Sequence, residues 1–213
     1  MRTAKRLPTK ERLKKAALAL FSQSGVDAVS VRDIVKASKV SNASALNYYF
    51  GSKEKLIEEL IRDALIEANA RWESTLGALE AEGGPTSIRQ VVEILTYEGL
   101  RVSPDGNEST ARFFSTLLVT RRHVVTDTVK QLGFTAYDRA FAHIHRLMPA
   151  MPDSVKKQRL LFYFYAASSV LALLEGAATG DGGFSRPWAD SDPMRNFVES
   201  AVGMLEAPYD PTR

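Results

Sequence analysis

Apolar residues recur along this chain at helical spacing, and no stretch alternates as a strand would. Between Thr9 and Gln23, Leu13, Ala16, Ala17, Leu20 and Phe21 fall at i, i+3, i+4, i+7 and i+8, one face of a first helix with Thr9 as its cap and Gly25 at its end. Val31, Ile34 and Val35 give a second short face, opened by Ser30 with Asp33 three residues on, a capping-box pattern. Val40-Ser41 makes a turn, and Ser41 can cap a third helix carrying Leu46, Tyr48, Tyr49 and Phe50. Ser52 then caps a long fourth helix, striped by Leu56, Ile57, Leu60, Ile61 and Leu65, that runs to about Glu80 and breaks at Glu82-Gly83-Gly84-Pro85.

The rest continues the pattern. A fifth helix is expected from about Thr86 to Val102, stopped by Ser103-Pro104-Asp105-Gly106, and a sixth from about Glu108 to Val119. A single seventh helix is expected over Arg121 to Leu147, because Phe134, Tyr137, Phe141, Ile144 and Met148 are spaced +3, +4, +3, +4 before Pro149 and Pro152. The eighth, about Asp153 to Ala178, is apolar on most sides, which argues burial on more than one face. A Gly-, Pro- and Asp-rich loop follows over Gly180 to Pro193, and Asp192-Pro193 opens a last helix with Phe197, Val198, Ala201, Met204 and Leu205 on one face. The expected fold is therefore all-α, about nine helices. A three-helix domain occupies residues 1–52, and a larger helical domain occupies 53–213.

Three short helices with a capped turn in the middle are a helix-turn-helix, whose third helix enters the DNA major groove. Charge agrees with this. Residues 1–60 hold 12 Lys and Arg against 6 Asp and Glu, a net of +6, while the remainder carries a net of −3, so the basic face is confined to the front. The chain has no cysteine, which excludes disulfide and thiolate chemistry and makes the cytoplasm the expected compartment. No leader-like apolar stretch follows the N-terminal MRTAKRLPTK. The longest uncharged run, Leu160 to Leu174, is 15 residues, short of the roughly 20 that a membrane span needs, so no membrane is expected.

Residues 9–60 resemble the DNA-binding domain of the tetracycline-repressor (TetR) family of bacterial transcriptional regulators. The resemblance rests on Ala16-Ala17-x-x-Leu20-Phe21-x-x-x-Gly25, Ser30-Val31-Arg32-Asp33-Ile34, Val40-Ser41, and Asn47-Tyr48-Tyr49-Phe50-Gly51-Ser52-Lys53-Glu54-x-Leu56. The chain departs from the family pattern twice. Ser38-Lys39 stands where Ala-Gly is usual, and the interval from Ser41 to Phe50 is one residue longer. The resemblance implies a homodimer reading a palindromic operator on double-stranded DNA as a repressor. It also implies dimerisation through the last two helices, with a small-molecule effector held between the middle ones.

The candidate DNA-binding residues are Ser30, Arg32, Ser41, Asn42, Ala43, Ser44, Asn47, Tyr48 and Lys53. Asn can bond adenine N6 and N7, Ser several base edges, and Ala a thymine methyl. Ser41 reads equally as a plain cap, and spacing leaves open which of Tyr48 and Tyr49 meets phosphate. Lys53 opposes the dipole of the fourth helix, which a phosphate at that helix start would explain. Candidate effector-site residues are Tyr97, Arg101, Phe113, Phe114, Leu117, His123 and Phe162, and the bland alternative for each aromatic is core. Candidate dimer residues are Tyr163, Ala166, Ala167, Val170 and Leu174, with Phe197, Ala201 and Met204 on the last helix.

His143-x-His145 faces opposite sides of a helix, and no HExxH, CxxC or phosphate loop is present, so no metal, cofactor or enzymatic role is expected. Two other readings compete with a ligand-responsive repressor. One is a helix-turn-helix protein not gated by a small molecule. The other is an all-helical enzyme, for which no candidate residue set exists.

Overall fold

The computed structural model describes residues 7–99, 110–178 and 192–212, and among these the regular structure is ten helices without a strand. Helix α1 (Thr9–Ser24) turns Leu13, Ala17 and Phe21 inward and stops at Gly25, whose φ of +78° suits a residue without Cβ. Helix α2 (Val31–Ala37) starts from a complete capping box: the Ser30 Oγ accepts from the Asp33 amide at 3.2 Å, and Asp33 Oδ2 accepts from the Ser30 amide at 2.9 Å. Ser30 also holds the Asp33 carboxyl below the usual carboxylate range, first through its hydroxyl and then through its amide. Helix α3 (Ala45–Phe50) is six residues long, and α4 (Lys53–Ala81) is 29, capped by Ser52 Oγ on the Lys55 amide at 3.1 Å.

In the second half, α5 (Ile88–Tyr97) opens on a Ser87–Gln90 capping box, and α6 (Thr110–Thr120) follows. The expected extension of α5 to Val102 ends sooner, at Tyr97, and residues 100–109 lie outside the described residues. The single helix expected over 121–147 is two: α7 (Arg122–Leu132) and α8 (Ala136–Leu147). Gly133 separates them. It sits at φ +62°, and its amide closes the end of α7 on the carbonyls of Val129 and Lys130. Helix α9 (Asp153–Ala178) and α10 (Pro193–Glu206) complete the chain, α10 with Asp192 as cap and Pro193 at its first position.

Two cores share α4. Its first turns give Leu56, Ile57, Leu60 and Ile61 to a core with α1, α2 and α3, which Phe113, Phe114, Leu117 and Leu118 of α6 and Val125 of α7 also enter. Its far end gives Leu76 to a second core with α5, α8, α9 and α10. By length and composition α9 is apolar enough to cross a membrane, but its Leu160, Tyr163, Leu171 and Glu175 are buried against neighbouring helices.

Candidate nucleic-acid interface

The turn between α2 and α3 is built from side chains. Ser38 closes α2, its amide on the Ile34 carbonyl at 2.9 Å and its hydroxyl on the Val35 carbonyl at 2.8 Å. Lys39 then adopts φ +55°, alone in the left-handed region among the described non-glycine residues. Arg12 of α1 reaches across and donates from Nη2 to the Ser38 carbonyl at 2.5 Å and to the Lys39 carbonyl. The turn is thus fastened to the first helix.

The structure corrects the expected cap of the third helix. Helix α3 begins at Ala45, not after Ser41, and Asn42 organises its approach by accepting the Ser44 amide on Oδ1 at 2.9 Å. Ser41, Asn42, Ala43 and Ser44 are all exposed, whereas Ala45 and Leu46 are buried in the first core. The extra residue is therefore taken up by a non-helical lead-in. Further along, Asn47, Tyr48 and Tyr49 are exposed and Phe50 is buried. Tyr48 is 81 % exposed, against 41 % for Tyr49, and the two rings meet edge to face at 5.0 Å. The structure thus offers Tyr48, and less of Tyr49, to a partner. Ser30 and Arg32 are exposed at the start of α2. A cleft of about 440 Å³ opens beside this face, lined by Thr9, Arg12, Lys39, Asn42, Tyr48 and Tyr49 among others.

Lys53 departs from its expected role. Its ammonium donates to the carbonyls of Val26 at 2.9 Å and Val29 at 3.0 Å, so it fastens the α1–α2 link to the start of α4. That internal use explains a cation in the first turn of a helix without any phosphate.

Residues 13–60 match the sequence model of the bacterial regulatory proteins of the tetR family. The head of this chain is thus similar to the DNA-binding part of that family. It is 29% identical to the Bacillus subtilis (strain 168) protein YttP over 94 residues, which are 44% of this chain and 45% of that one; YttP is described as an HTH-type transcriptional regulator. It is 31% identical over 84 residues, 39% of this chain, to the HTH-type transcriptional regulator BetI of Vibrio campbellii, of which they make up 42%. The chain thus matches less than half the length of these relatives. A crystal structure of a Rhodococcus sp. RHA1 protein described as a transcriptional regulator superposes with a TM-score of 0.51 at 21% identity, covering 94% of this chain and 97% of that one, which shows a shared fold.

In the body, the expected residues are placed as follows. Phe113, Phe114 and Leu117 are buried in the core shared with the head. Phe162 is 59 % exposed, Tyr97 is exposed on α5 and His123 on α7; Arg101 lies outside the described residues. Tyr163, Phe197 and Ala201, expected to face a second subunit, are buried inside their own, with the rings of Tyr163 and Phe197 stacked at 6.3 Å. Ala166, Ala167, Val170, Leu174 and Met204 are half-buried, while Leu161, Phe162 and Leu173 of α9 are exposed.

Two features of the body went unread in the sequence. Trp72 Nε1 and Asn69 Oδ1, one turn apart on α4, are buried with no hydrogen-bond partner, and Trp72 abuts Tyr137 at 5.4 Å. Glu175 of α9, 1 % exposed, accepts the amides of Ala111 at 2.9 Å and Arg112 at 2.8 Å and so caps α6. Burial pushes its carboxyl up, against the opposing pull of those amides and of the nearby Arg112 charge. Among the described residues no group of three or more His, Asp and Glu is placed to hold a metal.

Proposed function

We propose that this chain is a transcriptional regulator that binds an operator in double-stranded DNA as a homodimer, and that a small, largely apolar effector releases it. The observation that carries the DNA-binding part is the polar surface of α3 and its lead-in. Asn42 and Ser44 of the lead-in and Asn47 and Tyr48 of α3 stand exposed beside a buried floor of Ala45, Leu46 and Phe50. Side chains that can bond base edges are thereby presented together. Selection of bound duplexes from a random pool should return one palindromic sequence. Asn42→Ala or Ser44→Ala should then weaken binding to it by about 1–3 kcal/mol and relax one position per half-site. A pool that enriches nothing would remove the reading.

The effector reading is supported by the orphaned pair on α4. A buried donor and a buried acceptor without partners, the Trp72 ring lying against Tyr137, which in turn meets Phe141, are what an apolar site uses to orient a ligand. Asn69→Leu should raise stability, because it removes an unsatisfied polar group, and should blunt release of DNA by a compound found to act on the wild type. If no apolar compound from a broad panel frees the selected operator, the ungated alternative holds.

A further inference from the structure

Most cations of the head that the structure describes are already engaged. Lys10 and Lys14 pair with Glu59 at 2.7 Å, Lys14 also with Asp63 at 2.7 Å, and Lys55 pairs with Glu58 at 2.6 Å. Lys53 is given to two carbonyls. Lys39 is different. It is exposed, no carboxylate among the described residues lies within ion-pair distance of it, and it lines the 440 Å³ cleft together with Arg12, Asn42 and Tyr48. No carboxylate lines that cleft.

Its backbone is also the strained one. A left-handed lysine costs about 1–2 kcal/mol relative to the glycine that such a turn favours. Strain of this kind persists where the surroundings over-determine it, and here the Arg12 guanidinium holds the Ser38 and Lys39 carbonyls, the two that flank the Lys39 Cα. With the backbone fixed, Lys39 lines the same cleft as Asn42 and Tyr48 of the reading face. We propose that Lys39 contacts a backbone phosphate of the duplex beside α3, and that Arg12 is the positioning residue that sets its direction. A phosphate contact adds affinity and fixes register without reading sequence.

This inference rests on the DNA-binding reading, and the experiment separates the two. Binding of the full-length protein to a labelled random-sequence duplex and to the pool-selected operator is followed by fluorescence anisotropy over a salt series. Lys39→Gly removes the charge and relieves the turn; Lys39→Asn removes the charge and keeps a side chain that tolerates φ > 0; Lys39→Arg keeps the charge. The first two should flatten the plot of log K against log salt by about 0.9 per head on both duplexes, with the melting temperature unchanged or raised, and Lys39→Arg should keep the wild-type slope. Arg12→Met should weaken binding in the wild-type background and do so much less in the Lys39→Gly background, where nothing is left to position. Wild-type slopes in both neutral variants would overturn the Lys39 contact. Equal losses from Arg12→Met in both backgrounds would overturn its positioning role. A wild-type protein that binds neither duplex would instead overturn the DNA-binding reading itself.

Discussion

The ring of Phe21 on α1 lies stacked on the ring of Phe113 on α6, centroids 6.0 Å apart and planes within 15° of parallel. Phe113 in turn meets Phe114 edge to face at 5.9 Å. One core therefore contains the first helix of the head and a helix more than 80 residues away in the chain. The end of α6 adds a second tie, since Arg121 pairs with Asp27 in the α1–α2 link. Close-packed interiors do not deform continuously, so α6 cannot shift along its axis without moving Phe21 or opening a void.

Phe113→Ala should destabilise the protein by about 3–5 kcal/mol, the usual loss for a fully buried phenylalanine. The sharper measurement is a double-mutant cycle with Phe21→Leu and Phe113→Leu in urea unfolding. A coupling of about 0.5–1.5 kcal/mol is expected from the stacked pair. Additive losses would mean that the two rings are independent, and α6 would then have no grip on the head through this contact.

Lys53→Met should act on stability rather than on salt dependence. It leaves the carbonyls of Val26 and Val29 without their donor, a loss of about 1–3 kcal/mol. The salt slope of DNA binding should stay that of the wild type. Unchanged melting together with a flatter slope would return the ammonium to the phosphate.

The head was nearly all legible because its elements are marked locally. Ser30 with Asp33, Ser52, and Gly25 each announce a helix end through a contact within four residues. Ser41 misled, because any of Ser41, Asn42 and Ser44 can serve as a cap, and only the burial of Ala45 and Leu46 in the core that α3 shares with α2 and α4 decides where α3 starts. The one-helix reading of 121–147 failed at Gly133. The regular spacing begins at Phe134 and belongs to α8 alone, while α7 buries Val125 and Thr128 on a face of its own. The role of Lys53, and that of Glu175, depend on backbone groups distant in sequence, which side-chain periodicity does not record. Tyr163, Phe197 and Ala201 show the deeper limit: an apolar stripe specifies that it is covered, not whether the cover is its own subunit or another.

Glu175 gives a pH prediction. Burial raises its carboxyl above the unfolded value, so the protonated form is favoured by folding. That contribution is fully present below the ordinary glutamate range and is lost as pH rises through the raised value. The unfolding free energy of Glu175→Gln minus that of the wild type should therefore increase with pH across this window and then level off. Urea titrations at a series of pH values measure it. A difference that falls with rising pH would mean that the amides of Ala111 and Arg112 stabilise the carboxylate by more than burial penalises it.

Charge insertion tests where the proposed homodimer has its face. Phe162 and Leu173 are 59 % and 49 % exposed, and their separation of 11 residues places them within about 20° of one another and about 17 Å apart along one face of α9. Two heads that read half-sites on one side of a duplex must be held about 34–36 Å apart or at a multiple of it, which loose association cannot do. An exposed apolar pair of this span on the helix next to α10 marks the surface best suited to hold them. Phe162→Asp combined with Leu173→Asp should give a folded monomer, with wild-type helix content by circular dichroism, that has lost operator affinity. Ala201→Glu is the control, because Ala201 is buried within its own subunit and a charge there should unfold the body instead. Sedimentation velocity separates the outcomes: a double variant that still sediments as a dimer and still binds the operator at wild-type affinity would move the interface off α9.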